Sequence, residues 1–355
     1  FEVSKEGVIV PRGGDRDARD SGQWGTALRW LGDDTEYGLY FMNYHSRTPN
    51  VGTTTAGLST LASIPGIVAT ANRIAPGSGS GLAQSVMLGR GQYYLEYPED
   101  IRLYGASFST TLPTGTAWTG EISYRPNAPV QLNTTDLTLA LINPIAGNAA
   151  SPIRSSFGAD NKGYRRKEIT QIQSTMTQFF DQVLGAERLT LVGEAAVVHV
   201  AGLEDKSKLR YGRDPVYGPG PLPDTFGLNT CSDILNAGTI GGAGPGSSSA
   251  NLSRKCEKDG YTTSTSWGYR ARAIWDYPDV FAGVNLKPSV SWSHDVDGYG
   301  PNGLFTEGAK AVSLGLDADY QNTYTASLAY TDFFGGKYNT SIDRDFVALS
   351  FGVNF

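Results

Sequence analysis

Apolar and polar residues alternate with a period of two through most of the second half of the chain. Val284, Leu286, Pro288, Val290 and Trp292 alternate with Asn285, Lys287, Ser289, Ser291 and Ser293. Val312, Leu314, Leu316, Ala318 and Tyr320 then oppose Ser313, Gly315, Asp317 and Asp319, and Tyr324, Ala326, Leu328 and Tyr330 oppose Thr325, Ser327, Ala329 and Thr331. The last segment sets Val347, Leu349, Phe351, Val353 and Phe355 against Ala348, Ser350, Gly352 and Asn354. Successive side chains of a strand point to opposite faces, so each segment reads as a strand with one apolar and one polar face. Upstream, Trp267, Tyr269, Ala271, Ala273, Trp275 and Tyr277 alternate with Arg270, Arg272 and Asp276, and Trp118, Gly120, Ile122 and Tyr124 with Thr119, Glu121, Ser123 and Arg125. Aromatic residues gather towards strand ends, where the interfacial girdles of a membrane barrel lie.

The pattern predicts strands near 22–32, 35–46, 99–112, 116–126, 166–183, 187–203, 261–277, 281–294, 306–320, 323–335 and 345–355. Their connections are of two kinds. Those at Gly32–Asp34, Pro113–Gly115, Gly185–Arg188, Pro278–Val280 and Gln321–Asn322 are tight, and between them lie long excursions at 47–98, 127–165 and 204–260, with shorter ones near 295–305 and 336–344. Short and long connections alternate without a break, as periplasmic turns and external loops do. The expected fold is an all-β, antiparallel transmembrane β-barrel of a Gram-negative outer membrane, with residues 1–355 as one barrel domain. The closing Phe351, Val353 and Phe355 resemble the terminal-strand signal read by the barrel-assembly machinery. A C-terminus on the periplasmic side makes strand 22–32 head inward, so residues 1–21 start outside. Eleven strands is an odd number and bacterial single-chain barrels use an even one, so at least one outward strand is expected before Phe1.

Composition bears on this picture in three ways. No run approaches the roughly eighteen consecutive apolar residues that a spanning helix needs, which leaves strands as the route across a membrane. The 44 glycines and 19 tyrosines suit strands and turns. A formal charge of -6 without a basic stripe gives no reason to approach nucleic acid. The first residues, Phe1-Glu2-Val3-Ser4-Lys5, carry no mark of a signal peptide, so one is expected either to have been removed or to lie upstream. Cys231 and Cys256 enclose a stretch rich in Gly, Ser and Asn, including Gly241 to Gly246; their spacing fits no metal motif, and in an exported chain a disulfide closing the 204–260 loop is the favoured reading.

Several strings resemble the proteobacterial outer-membrane family catalogued as domain of unknown function 1302. They are Gly22 to Gly25 with Tyr40 to Ser46, Tyr94 to Gly105, Gly120 to Asn127, Gly163 to Lys167 and Leu191 to Glu194, in order along essentially the whole chain. The resemblance implies a longer protein, a periplasmic or lipoprotein-like partner, and transport of apolar or amphipathic molecules.

Charged residues on the polar side of their strands are the candidate functional groups: Arg29, Glu121, Arg125, Glu194, Arg270, Arg272, Lys287, Asp317 and Asp319. They either line a lumen as a selectivity surface or pair across it to hold the wall together. Arg270 and Arg272, two apart on one face, are the choice for a cationic constriction. The long loops carry apolar stretches, Ala56 to Ala71 and Asp136 to Ile142, which need cover from water. They either plug or gate the mouth, bind a greasy ligand, dock a neighbour, or pack on each other above the rim. His45, His199 and His294 have no ligand spacing, and no linear catalytic or cofactor motif is present. A Ser-His or Asp-His pair assembled across strands would not show in a linear scan, Ser109 or Ser293 beside His294 being one such arrangement, and Asp15, Asp17 and Asp20 either bind a calcium ion or form a solvated loop. The functional expectation is an outer-membrane channel or transporter for hydrophobic or amphipathic small molecules, without cofactor and not an enzyme. It would sit among lipid and lipopolysaccharide. The alternatives are a non-conducting assembly barrel that docks a partner, and a lipase-like barrel.

Overall fold

The computed structural model describes residues 3–4, 7–222, 231 and 256–354. Eleven strands form one antiparallel sheet in which every strand pairs with its neighbours in sequence: β1 (Trp24–Leu31), β2 (Thr35–Tyr44), β3 (Ile101–Thr111), β4 (Ala117–Gln131), β5 (Tyr164–Asp181), β6 (Arg188–Ala201), β7 (Thr265–Phe281), β8 (Val284–Asp297), β9 (Ala309–Tyr320), β10 (Tyr324–Gly335) and β11 (Phe346–Val353). All eleven strands expected from the period-two pattern are present. Phe355 lies outside the described residues, as does Gly241 to Gly246.

Two boundaries differ from expectation. Pro126 and Pro129 lack an N–H for the ladder, so the sequence ends a strand there, yet β4 continues to Gln131 and pairs with Tyr164 to Lys167. A bulge between Lys167 and Ile169 re-registers the two strands past the prolines. The loop expected at 127–165 is therefore shorter, at 132–163. Similarly, Pro278–Val280 is not the turn after β7: the strand bulges between Tyr277 and Phe281, and the turn is Ala282–Gly283, both at positive φ. Two adjacent positive-φ residues give the turn whose twist matches the strands it joins.

All short turns lie at one end of the sheet and all long connections at the other. The long connections are not structureless. The first contains α1 (Ser59–Ile74) and α2 (Gly79–Arg90) between the paired strands Asn50–Thr54 and Gln92–Glu96, and the second contains α3 (Thr134–Ala140) and contributes Asp160–Asn161 to the same three-stranded sheet. Asn133 starts α3 by accepting a hydrogen bond from the Asp136 amide at 3.0 Å. The segment ahead of β1 lies here as well: Gly13 N–H donates to the Tyr93 carbonyl at 2.6 Å and Arg16 N–H to Leu95 at 2.8 Å. We refer to this assembly as the cap.

The buried core belongs to the cap and to the strand ends beneath it. Leu132, Leu137, Ala140, Tyr211 and Phe305 pack with Val130, Ile169, Val198 and Val200 of β4–β6. A second cluster joins Ala56, Met87, Leu139, Ile142 and Cys231. The Cys231–Cys256 disulfide forms, with Cα atoms 5.8 Å apart. Gln131, at the end of β4, clamps cap to sheet: its Oε1 accepts from Val51 N at 2.8 Å and its Nε2 donates to the Gly163 carbonyl at 2.8 Å. A Cβ at Gly163 would overlap the Val51 carbonyl, so this crossing requires glycine.

Candidate functional site

The register of the sheet fixes which side chains share a face. Arg29 opposes Gly38, Gly38 opposes Ser107, Ser107 opposes Glu121, and Glu121 opposes Gln173. Two residues along β5, Thr175 opposes Glu194, which opposes Arg270, which opposes Ser293. Further along β8, at the same parity, Lys287 opposes Asp317. Arg125, Arg272 and Asp319 sit an even number of residues from Glu121, Arg270 and Asp317. The structure thus brings all nine charged candidates onto one face.

The other face carries Leu28, Leu39, Ile122, Ile172, Leu191, Val290, Leu314, Leu328, Leu349 and Phe351, with Trp24, Trp30, Tyr37, Tyr104, Tyr124, Tyr269, Tyr320, Tyr324 and Tyr330; all of these side chains are exposed. Most of these aromatics lie within a few residues of strand termini. Stacked or edge contacts link Trp30 to Tyr37, Trp24 to Phe41, Phe41 to Tyr104, and Tyr320 to Tyr324.

On the polar face the charges are partly paired. Arg270 binds Asp295 at 2.6 Å and Lys287 reaches Asp276 at 3.3 Å. Glu194 accepts a hydrogen bond from Thr175 at 2.9 Å, and Arg125 Nη2 donates to Gln171 at 3.3 Å. Arg29 lies 5.9 Å from the Tyr40 ring. Among the described residues no ion pair reaches Arg272, Glu121 or Asp317. Arg270, Arg272 and Glu194 line one cleft of about 330 Å³, so the two arginines share a site with a carboxylate rather than forming a purely cationic ring. Arg29, Glu36 and Glu121 line another of about 300 Å³.

At the long-loop end the polar face turns apolar and is covered. Ile169, Val198 and Val200 lie on the same side as Gln171 and Glu194, and the cap core is built on them. From the β8–β9 connection a strap, residues 298–308, reaches over β5–β7 to the end of β4. There Asn302, held at φ +53° in the left-handed region, donates to the Pro129 carbonyl at 3.1 Å and accepts from Gln131 N–H at 3.1 Å. Asp295, which pairs with Arg270, also accepts from Thr306 N–H of the strap at 2.9 Å. Cavities of about 690 and 800 Å³ flank the strap.

Every residue of the run Asp136 to Ile142 except Thr138 is buried. Asp136 and Arg210 pair inside the cap, Arg210 Nε to Asp136 Oδ2 at 2.8 Å with a second contact through Nη2 and Oδ1, and Arg210 lies over the Tyr261 ring. Asn133 caps the helix that carries Asp136, and nothing in the sequence pointed to Arg210, 74 residues on.

The hydrolytic arrangement is not assembled. Ser293 lies on the polar face, whereas His294 lies on the other, its ring 5.6 Å from Tyr269, and Ser109 is on β3. His45 is buried with both ring nitrogens engaged, by the Ser21 carbonyl at 2.8 Å and by Asp100 N–H at 3.0 Å. Asp15 pairs with Arg12 at 2.6 Å.

Ion pairs fasten the cap. Arg19 binds Glu99 and Asp100, and Lys337 binds Glu257 at 2.8 Å. The Arg19 N–H holds the Glu99 carboxyl below its ordinary value, hydrogen bonds from Arg19 and Asn43 do so for Asp100, and those from Lys337 and Tyr338 for Glu257. A depressed carboxylate stabilises the fold above its unfolded value, about 4, and that contribution is lost as pH falls through the lower folded value. Arg19→Gln is accordingly expected to lower the cap's thermal midpoint at about pH 6 and to differ less from the wild type at about pH 3. Thermal scans at the two pH values check this.

These features define a mostly antiparallel β protein with one continuous apolar face, one charged face and a folded cap over one end. The family described as Protein of unknown function (DUF1302) matches residues 2–355, and the chain belongs to it. The resemblance carried by Tyr94 to Gly105 and the other strings holds over the whole chain. No match to the chain is found among curated proteins.

Proposed function

We propose that the sheet is the wall of an outer-membrane β-barrel, that its charged face lines the lumen, and that the protein is a channel or transporter for hydrophobic or amphipathic small molecules. One observation carries the reading. Every strand turns an exposed apolar face away from the charged one, and a water-soluble protein rarely leaves so extended an apolar surface open. Lipid accommodates such a face, and the nine strands β2 to β10, of 10 to 18 residues, are long enough to cross a bilayer. The edge strands β1 and β11 both run from the long-loop end to the short-turn end, so an all-antiparallel closure takes an odd number of further strands between them. Barrel-assembly machinery would insert the chain, and a periplasmic or lipoprotein-like partner would meet the short-turn end.

The cap core built on the polar face favours a second reading, a plugged, non-conducting barrel that docks a partner. Membrane fractionation and planar-bilayer recording on the full chain separate the two. The channel reading expects retention in membranes through a urea wash and stepwise ion conductance. Retention without conductance selects the plugged barrel, and a chain released by urea overturns both.

A further inference from the structure

The larger of the two cavities beside the strap is lined by two arginines and by no acidic residue. It lies where β2–β5 meet the cap and encloses about 800 Å³, within the range of small-molecule sites. Its walls are mainly apolar: Met42, Ile101, Leu103 and Ile169 from the strands, with Pro301 and Leu304 from the strap. Arg125 enters it from β4 and Arg47 from the segment after β2. Arg125 is half-buried. One of its terminal nitrogens donates to Gln171, while its Nε is closed off from solvent without a partner among the described residues.

An arginine charge in an apolar recess without an acidic partner is costly, and a carboxylate is the group whose two oxygens match the planar fork of arginine. A neutral apolar ligand would leave both arginines of the recess without a counter-charge. A cation would be repelled by both arginines.

We propose that this cavity binds an apolar molecule bearing one carboxylate, its head on Arg125 and its body against Met42, Leu103, Ile169 and Leu304. The proposal rests on the reading of the charged face as a ligand path and names the class of ligand. The strap is the outer wall of the site, latched by Asn302.

The test is fluorescence titration of the full chain in a non-ionic detergent with cis-parinaric acid and with its methyl ester. The acid is expected to bind about tenfold more tightly than the ester. Arg125→Gln removes that preference, Arg125→Lys keeps part of it, and Arg73→Gln, exposed on α1 and outside the cavity, leaves it unchanged. Equal binding of acid and ester by the wild type, an acid preference that survives Arg125→Gln, or no saturable binding overturns the proposal. The first comparison needs no variant, so misfolding cannot mask the answer. Urea-resistant retention and conductance without an acid preference would reject this site and keep the channel reading.

Discussion

Leu314→Arg is expected to cost about 2–4 kcal/mol of folding stability in lipid vesicles, roughly a thirty-fold to thousand-fold loss in the folding equilibrium. Leu314 is mid-strand in β9, 53% exposed, between Val290 and Tyr330 on the apolar face. In a protein surrounded by water, replacing so exposed a leucine changes stability by no more than about 0.5 kcal/mol. The two environments therefore predict different outcomes for one substitution. Ser313→Arg is the control: its neighbour in sequence faces the other way, between Ser291 and Thr331 on the charged face, where the new guanidinium stays hydrated. Reversible urea titration in vesicles, with the folded fraction read from heat-modifiable gel migration, checks both. Equal stability of the two variants would remove the basis for placing this face in lipid.

The sheet was legible in the sequence because its information is local. Val284 to Trp292 and Tyr324 to Tyr330 declare their two faces by alternation alone, and the nine charges fell on one face because period-two parity carries across a regular ladder. Departures came where one residue breaks that parity. The prolines at 126 and 129 end a strand by any local rule, and only the bulge at Lys167–Ile169, on a different strand, lets β4 run on.

The cap was hidden for the opposite reason. The segment that forms α3 and the turn after it buries Leu137, Leu139, Leu141 and Ile142. Its three leucines alternate with Asp136, Thr138 and Ala140 over too short a stretch to declare a helix, so in the sequence it reads as a greasy loop. Its partners are distant in sequence: Arg210 for Asp136, and Val198 and Val200 for Leu137. The Asn302 latch spans 171 residues to Gln131. The cavity around Arg125 depends on that latch, so the sequence could put Arg125 on the polar face but not in an apolar recess.

Asp136→Ala is expected to destabilise the cap by about 3–5 kcal/mol while leaving the sheet folded. The carboxylate is fully buried and Arg210 only 2% exposed, so the substitution strands a guanidinium away from water. Its remaining interactions, a hydrogen bond to the Pro221 carbonyl at 2.6 Å and the Tyr261 ring 5.1 Å away, do not neutralise the charge. Charge burial rather than lost attraction is the source of the penalty, since replacing both members of such a pair by apolar groups is often neutral or stabilising. The double variant Asp136→Leu/Arg210→Met is therefore expected to recover most of the loss, short of the hydrogen bond that Pro221 forfeits. Hydrogen exchange of residues 132–163 and 205–222 reports the cap, and heat-modifiable gel migration reports the sheet. A double variant as unstable as the single one would mean that the pair acts through its hydrogen-bond geometry, which also fixes the start of α3 against the segment that carries Tyr211 into the core.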